Sequence, residues 1–414
     1  MTQLEQTMEA GVVRQVPSSP HVPVVIGAGV VVLFAVYLSA AIGPRQMTLF
    51  AVGLAAGIVL YHAAFGFTSA WRIFIADGRG AGLRAQMLML AATCLVFTPL
   101  LAAGELFGQS LRGQVAPVDT AVAIGAFMFG IGMQLGGGCA SGTLYTVGGG
   151  NTRMLVTLLM FIVGSTIATA HTQWWNALPG FTAVTLQQLY GPATALVVNL
   201  LVFAAIAGLT VVVERRAHGS TSVPAQAQAA RTGSERWLRG PWPLVAGALG
   251  LAAVNIATLV IAGRPWGVTS AFALWGAKVL EAIGVSVTSW PYWSAPAQAA
   301  ALQRSVFADV TTVMDIGIML GALVAAMLAG RFSPAWRASR RSLAAAIVGG
   351  LLLGYGARIA HGCNIGAYFS GIASGSLHGW LWLVAAFAGN VVGVRLRPLC
   401  DLPVERSSDR QGSC

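Results

Sequence analysis

Hydrophobic residues follow one another along this chain in ten long runs, which polar segments separate. A helix needs about 20 apolar residues to cross the hydrocarbon core of a bilayer, and each run is close to that length. The pattern therefore predicts an all-α polytopic membrane protein with about ten spans. The runs lie at roughly 24–43, 48–64, 83–103, 119–135, 154–172, 193–213, 243–261, 308–330, 342–359 and 378–397.

Four glycine-rich stretches, each directly after one of these runs, are too short or too polar to span a bilayer. We expect re-entrant half-helices at about 66–77 and 136–150, entering from the cytoplasm, and at about 267–283 and 361–376, entering from outside. Irregular backbone at membrane depth is tolerated only where protein or a water-filled cavity satisfies its polar groups. Four half-helices that meet near the midplane predict an hourglass-shaped molecule.

The composition excludes a soluble globular protein. Charged residues make up 9% of the 414 residues and hydrophobic residues 56%, and the mean hydropathy is +0.73. A soluble domain carries about a quarter charged residues. The net charge of +11 would fit a nucleic-acid-binding protein, but the Arg residues stand singly between apolar runs. Membrane topology explains them better, so the expected partner is the lipid bilayer and no nucleic acid is expected.

The positions of the Arg residues predict the orientation. They cluster in the polar segment 214–241, in 331–341, in 72–84 and at the start of the C-terminal tail, whereas 173–192 has no charged residue. Cytoplasmic loops of membrane proteins are enriched in Lys and Arg. Ten spans with both termini in the cytoplasm place every cluster inside and 173–192 outside. We therefore expect a multi-pass protein of a bacterial inner membrane.

Two motifs occur twice along the chain. Gly66–Trp71 reappears as Gly267–Phe272, and Gly138–Gly142 reappears as Gly362–Gly366. The span before Gly66 runs inward and the span before Gly267 runs outward, so the halves form an inverted repeat, a common plan among transporters. The predicted units are 1–47, an N-terminal tail and extra span; 48–213, the first half with a linking span; 214–242, a cytoplasmic linker; 243–397, the second half; and 398–414, a cytoplasmic tail.

Two cysteines occupy equivalent places in the second motif. Glycines before Cys139 let the backbone turn sharply, and the hydroxyls of Ser141 and Thr143, with free N–H groups at a half-helix start, could hold an anion. A lone buried Cys is usually a small hydrophobic residue. However, Cys363, followed by Asn364, holds the same position in the second half. Midplane sites lie between such repeats, so the pair favours a functional role.

Other polar residues near these motifs have simpler interpretations. Arg358 lies near the end of a span; a charge there suggests function, but its long side chain could also reach the interface, and both interpretations stay open. Cys94 lies mid-span without glycine or a repeat partner and is expected to serve packing. Asp309 and Asp315 are expected to cap and stabilise the eighth span. We expect interfacial belt positions for Trp174, Trp175, Trp290 and Trp293.

The two Gly-Cys motifs, each after a span that contains Gly-X-Gly, resemble those of the YeeE/YedE family of thiosulfate transporters. The resemblance covers about 48–397. It implies an hourglass fold in which thiosulfate moves between cysteine thiols by transient S–H hydrogen bonds, without disulfide exchange. Cys139 and Cys363 match the second and third cysteines of the family.

The first half-helix departs from the family pattern. Thiosulfate-transporting members carry a cysteine where this chain has Gly66. A relay of thiols would lose its cytoplasmic step here. Either Thr68 or Ser69 supplies a hydroxyl donor in its place, or the substrate is a related sulfur species.

These features predict a transporter of a small sulfur-containing anion and not an enzyme, with no cofactor and no metal site. Five cysteines without paired spacing argue against a metal site. The alternative is a membrane sulfur-transfer component, in which a persulfide on Cys139 passes sulfur to a cytoplasmic carrier protein. Against that alternative, no acid–base residue lies beside Cys139 in sequence to activate its thiol. A purely structural subunit would leave the twin cysteine motifs unexplained.

Overall fold

The computed structural model describes residues 21–221, 233–332, 334 and 338–404. Residues 222–232 of the predicted linker and Cys414 lie outside these residues. The first helices are α1 (His21–Ala41), α2 (Pro44–Ala63), α3 (Phe67–Asp77), α4 (Ala81–Ala103), α5 (Thr120–Gly136), α6 (Ala140–Gly148), α7 (Thr152–Ala170), α8 (Thr172–Asn176), α9 (Leu186–Tyr190) and α10 (Pro192–His218). They are followed by α11 (Gly233–Arg239), α12 (Leu244–Ala262), α13 (Thr269–Ala282), α14 (Pro291–Ser294), α15 (Pro296–Gln303), α16 (Val310–Leu328), α17 (Arg340–Ile359), α18 (Gly371–Ala373) and α19 (Leu377–Leu396).

Short irregular elements join these helices. A π-helical segment, Asn364–Ser370, precedes α18, and 3₁₀ turns occur at Val306–Ala308 and Arg397–Cys400. Two antiparallel strand pairs lie between spans. Strand β1 (Glu105–Leu106) pairs with β2 (Gln109–Ser110), and β3 (Val118–Asp119) pairs with β4 (Gly180–Phe181).

The prediction of about ten spans is confirmed. Within the described residues, ten helical stretches are long and apolar enough to cross a membrane, and they contain α1, α2, α4, α5, α7, α10, α12, α16, α17 and α19. Helix α2 begins at Pro44, four residues before the predicted start, because proline is well tolerated in a first helical turn. The protein is therefore an all-α polytopic membrane protein.

Helix α10 continues beyond the predicted end of its span into the segment expected to be a linker. It ends at His218, and Glu214 in its last turns is buried. The carboxylate of Glu214 accepts a hydrogen bond from Arg84 at 2.7 Å and one from the backbone N–H of Gly80 at 3.3 Å. A buried carboxylate needs such partners, so these contacts explain why the helix extends.

The long helices pack in matched pairs. Helix α2 packs on α16 and α4 on α12, while α5 packs on α19 and α7 on α17; α2 also contacts α12, and α5 contacts α17. Glycines permit this close approach. A Cβ on Gly53 or Gly57 would overlap backbone atoms of α16, and one on Gly130 would overlap backbone atoms of α19. Small residues at such crossings are typical of membrane helix packing.

Two expectations for polar and aromatic residues are wrong. Asp309 caps α16 by accepting from the N–H of Thr312 at 2.8 Å, but Asp315 lies inside the helix, fully buried, and caps nothing. Trp175 and Trp293 are buried instead of lying in an interfacial belt. Helix α14 folds back against α7, where the indole N–H of Trp293 donates to Thr169 at 3.0 Å.

Candidate functional site

The first cysteine loop, residues 136–143, joins α5 to α6. Gly137 has a positive φ of 95°, which turns the chain sharply and which glycine adopts without strain. Cys139 is the N-cap of α6 and is 1% exposed. The N–H of Gly142 donates to its Sγ at 3.4 Å, and the Ser141 hydroxyl lies 3.5 Å from the same sulfur. In the second of these contacts, either the sulfur or the Ser141 oxygen can be the donor.

Polar side chains hold the end of α5, directly before this loop. Arg153 donates to the carbonyls of Leu135 and Gly136 at 2.6 and 2.8 Å, and Arg397 donates to the carbonyl of Gln134 at 2.6 Å. The last carbonyls of a helix have no intrahelical partner, and cations there complement the helix dipole. The two guanidinium groups therefore fix the point from which the loop departs.

The second cysteine loop, residues 360–367, follows α17. Cys363 is fully buried. Its carbonyl accepts from the N–H groups of both Ala367 (2.8 Å) and Tyr368 (3.3 Å), and the second bond begins the π-helical segment. Asn364 is also fully buried, yet neither its oxygen nor its nitrogen has a hydrogen-bond partner.

The two loops share a backbone arrangement. A Cβ on Gly138 would lie 3.0 Å from the amide nitrogen of Thr143, and one on Gly362 would lie 2.7 Å from the equivalent nitrogen of Ala367. In each loop the glycine before the cysteine therefore lies against the first turn of the short helix. Only glycine leaves room for that contact.

The loops also meet each other. Helix α6 contacts the π-helical segment, and both cysteines belong to one continuous buried cluster. The structure thus brings together two cysteines that are far apart in sequence.

The start of α3 lies beside α6. Gly66 is the N-cap of α3, and a Cβ on it would lie 3.7 Å from the hydroxyl of Tyr145. The Ser69 hydroxyl donates to the carbonyl of Gly66 at 3.2 Å, whereas the buried hydroxyl of Thr68 has no partner. The carbonyl of Thr68 accepts from Gln134 on α5 at 3.2 Å. These contacts attach α3 to the end of α5.

Comparison with known proteins decides the family. The family model described as sulphur transport matches residues 62–392, which include both cysteine loops and the start of α3. The chain belongs to the sulphur-transport family. Helix α1 lies outside the matched region.

Curated relatives of the chain carry transporter names. Probable transporter YedE of Escherichia coli (strain K12) is 32% identical over 171 residues, 41% of this chain and 42% of that protein. Thiosulfate transporter TsuA of Spirochaeta thermophila is 27% identical over 359 residues, 82% of this chain and 95% of that protein. TsuA of Escherichia coli is 27% identical over 281 residues, 64% of this chain and 71% of that protein. The chain thus spans less than half the length of the YedE relative that it matches.

As a member of the sulphur-transport family with ten apolar helices, the protein is a multi-pass inner-membrane protein. Two open pockets lie at the far ends of the short helices that follow the two cysteine loops. One, of about 590 Å³, is lined by Tyr61, Tyr145, Asn151, Arg153 and Ser342 among others, and reaches α6 beyond Cys139. The other, of about 390 Å³, is lined by Leu101, Gly113, Gln187 and Ser374 among others, and lies beyond the π-helical segment.

Arg358 contacts a different part of the molecule. Its guanidinium donates to the hydroxyl of Tyr292 at 2.9 Å and lies 4.9 Å from the centre of that ring. Tyr292 belongs to α14, a short helix outside the spans. Of the two interpretations that the sequence leaves open, this contact favours a side chain that reaches out of the membrane.

Several residues of the site are not evident from the sequence. Tyr145 lies beside Gly66, Gln134 donates to Asn390 at 2.6 Å, and Asp315 is buried without a partner. Of these residues, the internal repeat points only to Gln134, because Gln134 aligns with Arg358 of the second half. In the part of the chain that the structure describes, no group of three or more His, Cys, Asp or Glu side chains could hold a metal ion.

Proposed function

We propose that this protein transports a small sulfur-containing anion, thiosulfate or a related species, across the inner membrane through a waist lined by the thiols of Cys139 and Cys363. The observation that carries the proposal is the meeting of the two buried cysteine loops in one cluster. The Spirochaeta thermophila relative, named a thiosulfate transporter, aligns over 82% of this chain and supports the substrate class.

The chemistry of the two loops suits a soft, divalent anion. The Cys139 sulfur accepts from Gly142, so its S–H can donate to a passing anion. The first amides of α6 and of the π-helical segment add N–H donors at positive helix ends. Thr68 and Asn364 offer further buried polar atoms without partners inside the protein. Each donor supplies a modest, reversible interaction, as permeation requires.

The two pockets suggest the route. The larger pocket is lined by Tyr145 of α6, which adjoins Gly66, and Cys139 is the N-cap of the same helix. The smaller pocket reaches Ser374, just beyond the π-helical segment that Cys363 begins. An anion would pass between the pockets by way of the two thiols. The hourglass shape and the inverted halves are part of this proposal, supported by the matched helix pairs and the matched contacts of Gly138 and Gly362.

Uptake of radiolabelled thiosulfate by cells that lack their own thiosulfate transporters tests the proposal. Cys139→Ala and Cys363→Ala should each reduce uptake at least tenfold while leaving the amount of folded protein unchanged. Cys94→Ala is the matched control, because Cys94 is equally buried in a span but lies outside both loops. It should transport at the wild-type rate. Wild-type rates for both loop variants would return the two cysteines to a packing role.

The same variants address the sulfur-transfer alternative. The structure places only Gly142 and Ser141 in hydrogen-bond contact with the Cys139 sulfur, and neither is a base that could generate a thiolate. This favours hydrogen bonding over covalent transfer. Intact mass spectrometry after incubation with thiosulfate should find no added sulfur on Cys139. A stoichiometric persulfide there would support the transfer component and its cytoplasmic carrier instead.

A further inference from the structure

Asp315 is the most unusual ionisable residue among the described spans. It lies within α16, more than one turn past the N-cap, and its exposed fraction is 0%. Neither of its carboxylate oxygens has a hydrogen-bond partner. The contrast with Glu214 is direct, because that buried carboxylate is bound by Arg84 at 2.7 Å and by a backbone amide.

Among the described residues, no cation of the neighbouring helices forms an ion pair with Asp315. Helices α1, α2, α6, α11 and α13 pack against α16. Arg45 on α2 donates to the carbonyl of Ile261, and Lys278 on α13 donates to the carbonyls of Leu302 and Arg304. On α11, Arg236 donates to the carbonyl of Pro241 and Arg239 pairs with Glu235. Arg264 lies near Asp309, 3.9 Å from that carboxylate.

The other titratable side chains that the structure describes on these helices are Tyr37 on α1, Tyr61 and His62 on α2, Tyr145 on α6 and Glu281 on α13, which accepts from the amides of Val287 and Thr288. Asp309, the N-cap of α16, is a second acidic residue near the start of this helix. A buried carboxylate without a partner is most stable with a proton bound, because burial of an unpaired charge is costly.

Helix α16 packs against α6, the helix that Cys139 caps, and this packing links the charge of Asp315 to that of the substrate. An anion at the cysteine loops disfavours a carboxylate nearby, and a carboxylate disfavours the anion. Because such coupling is reciprocal, a bound proton strengthens the binding of the anion, and a bound anion strengthens the binding of the proton. An ionisable residue inside a span is by default a functional group of this kind.

We propose that Asp315 carries a proton together with the anion, so that transport is an anion–proton symport. The proposal rests on the proposed function. The proton comes from the solution on the side of entry, binds the Asp315 carboxylate while the anion occupies the cysteine loops, and is released on the other side. No bond within the anion breaks. Each proton removes one negative charge from the net transfer, which lowers the electrical work against an inside-negative potential.

The test uses the full-length protein reconstituted in liposomes that contain a pH-sensitive dye, with the membrane potential clamped by potassium and valinomycin. Radiolabelled thiosulfate uptake and lumenal pH are measured together. Wild-type uptake should acidify the lumen, and an inside-alkaline pH gradient should accelerate uptake several-fold. Asp315→Asn keeps the shape but carries no proton, so thiosulfate should enter without acidification and without acceleration by the gradient. Asp315→Glu should retain both.

Matched variants separate this role from a structural one. Asp309→Asn preserves the cap of α16 and should keep full coupling, since Asn and Asp are comparable N-caps. Asp315→Ser serves as a second neutral variant if Asp315→Asn does not fold. If the wild type takes up thiosulfate without acidifying the lumen, the symport is wrong but the proposed function stands. The same holds if a folded neutral variant acidifies the lumen as much per thiosulfate taken up as the wild type does. Absence of thiosulfate uptake by the wild type overturns the proposed function, and the symport with it.

Discussion

The two cysteine loops share a backbone arrangement but differ in how their polar groups are satisfied. In the first loop, Cys139 accepts from Gly142, and the Thr143 hydroxyl donates to the Cys139 carbonyl at 2.8 Å. In the second loop, by contrast, both polar atoms of the buried Asn364 lack partners among the described residues. The first loop is thus held by its own hydrogen bonds, whereas the second leaves buried polar groups open.

The second loop is held instead by contacts from other elements. The indole N–H of Trp382 donates to the carbonyl of Gly362 at 3.2 Å, and Ser370 donates to the carbonyl of Trp266 at 2.8 Å. Asn255 on α12 also donates to Ser370, at 3.1 Å. A π-helical turn is strained relative to an α-helix and frequently marks a functional site. The difference suggests that the first loop presents a preformed donor, while the second loop completes its hydrogen bonds only with the substrate.

Substitution of the glycine before each cysteine should give the largest effects and should differ between the loops. Gly362 has a φ of 148°, and a Cβ there would lie 2.7 Å from the amide of Ala367. At Gly138 the closest approach is 3.0 Å and the conformation is one that other residues adopt. Backbone strain of this kind costs about 1–3 kcal/mol, so Gly362→Ala should lower the melting temperature more than Gly138→Ala and should abolish thiosulfate uptake.

Gly366→Ala is the control for this comparison. Gly366 lies in the second loop, but a Cβ there would meet nothing within 4 Å. Its melting temperature in detergent should equal that of the wild type. Equal losses for Gly138→Ala and Gly362→Ala would mean that the two loops are equally constrained.

Removal of one polar side chain from each loop should have opposite effects on stability. Thr143→Ala deletes the hydrogen bond to the Cys139 carbonyl and should cost about 1 kcal/mol of the free energy of unfolding. Asn364→Ala deletes a buried amide that has no partner, so the free energy of unfolding should stay unchanged or rise. If Asn364 binds the anion, the same variant should raise the KM for thiosulfate several-fold.

Thermal unfolding and concentration-dependent uptake, measured on the same preparations, check both variants. A destabilised Asn364→Ala protein with an unchanged KM would show that Asn364 is a structural residue. An unaffected Thr143→Ala protein would show that the first loop does not depend on its own hydrogen bonds.

The sequence predicts the long elements well, because the length of a hydrophobic run and the glycines at its ends are local signals. Helix α5, expected at 119–135, spans Thr120–Gly136, and α19, expected at 378–397, spans Leu377–Leu396. The half-helix expected at 66–77 is Phe67–Asp77. Each boundary depends on residues within a few positions of it.

Features that depend on partners from distant segments were not predictable. The sequence of the π-helical segment looks like the start of an ordinary α-helix. In the structure, contacts from Trp266 and Trp382 hold this segment and the glycine before its cysteine. Asp315 looks like a helix-stabilising residue until its lack of partners is known. Trp293 looks like an interfacial residue until α14 is seen against α7. Periodicity contains no information about which distant groups will surround a residue.

The smallest expected effect concerns Gly66, where the family resemblance implies a cysteine. A Cβ at Gly66 would lie 2.5 Å from the Ser69 hydroxyl, so Ser69 must rotate and give up its hydrogen bond to the Gly66 carbonyl. The backbone, with a φ of −105°, already suits a cysteine. The new thiol would lie near the Tyr145 hydroxyl, between the larger pocket and Cys139.

A third thiol at this position should raise thiosulfate uptake by Gly66→Cys only several-fold, because one neutral hydrogen bond contributes about 1 kcal/mol net. Gly66→Ala introduces the same steric change without a donor and should show no gain. Combining Gly66→Cys with Ser69→Ala removes the crowded hydroxyl and should preserve the gain if the thiol alone is responsible.

Radiolabelled uptake by these variants and the wild type decides between two interpretations. If only the cysteine variants gain uptake, position 66 at the start of α3 is a third donor position beside the two cysteine loops. Equal rates would instead mean that the anion never contacts the start of α3, and that the two cysteine loops alone form the waist.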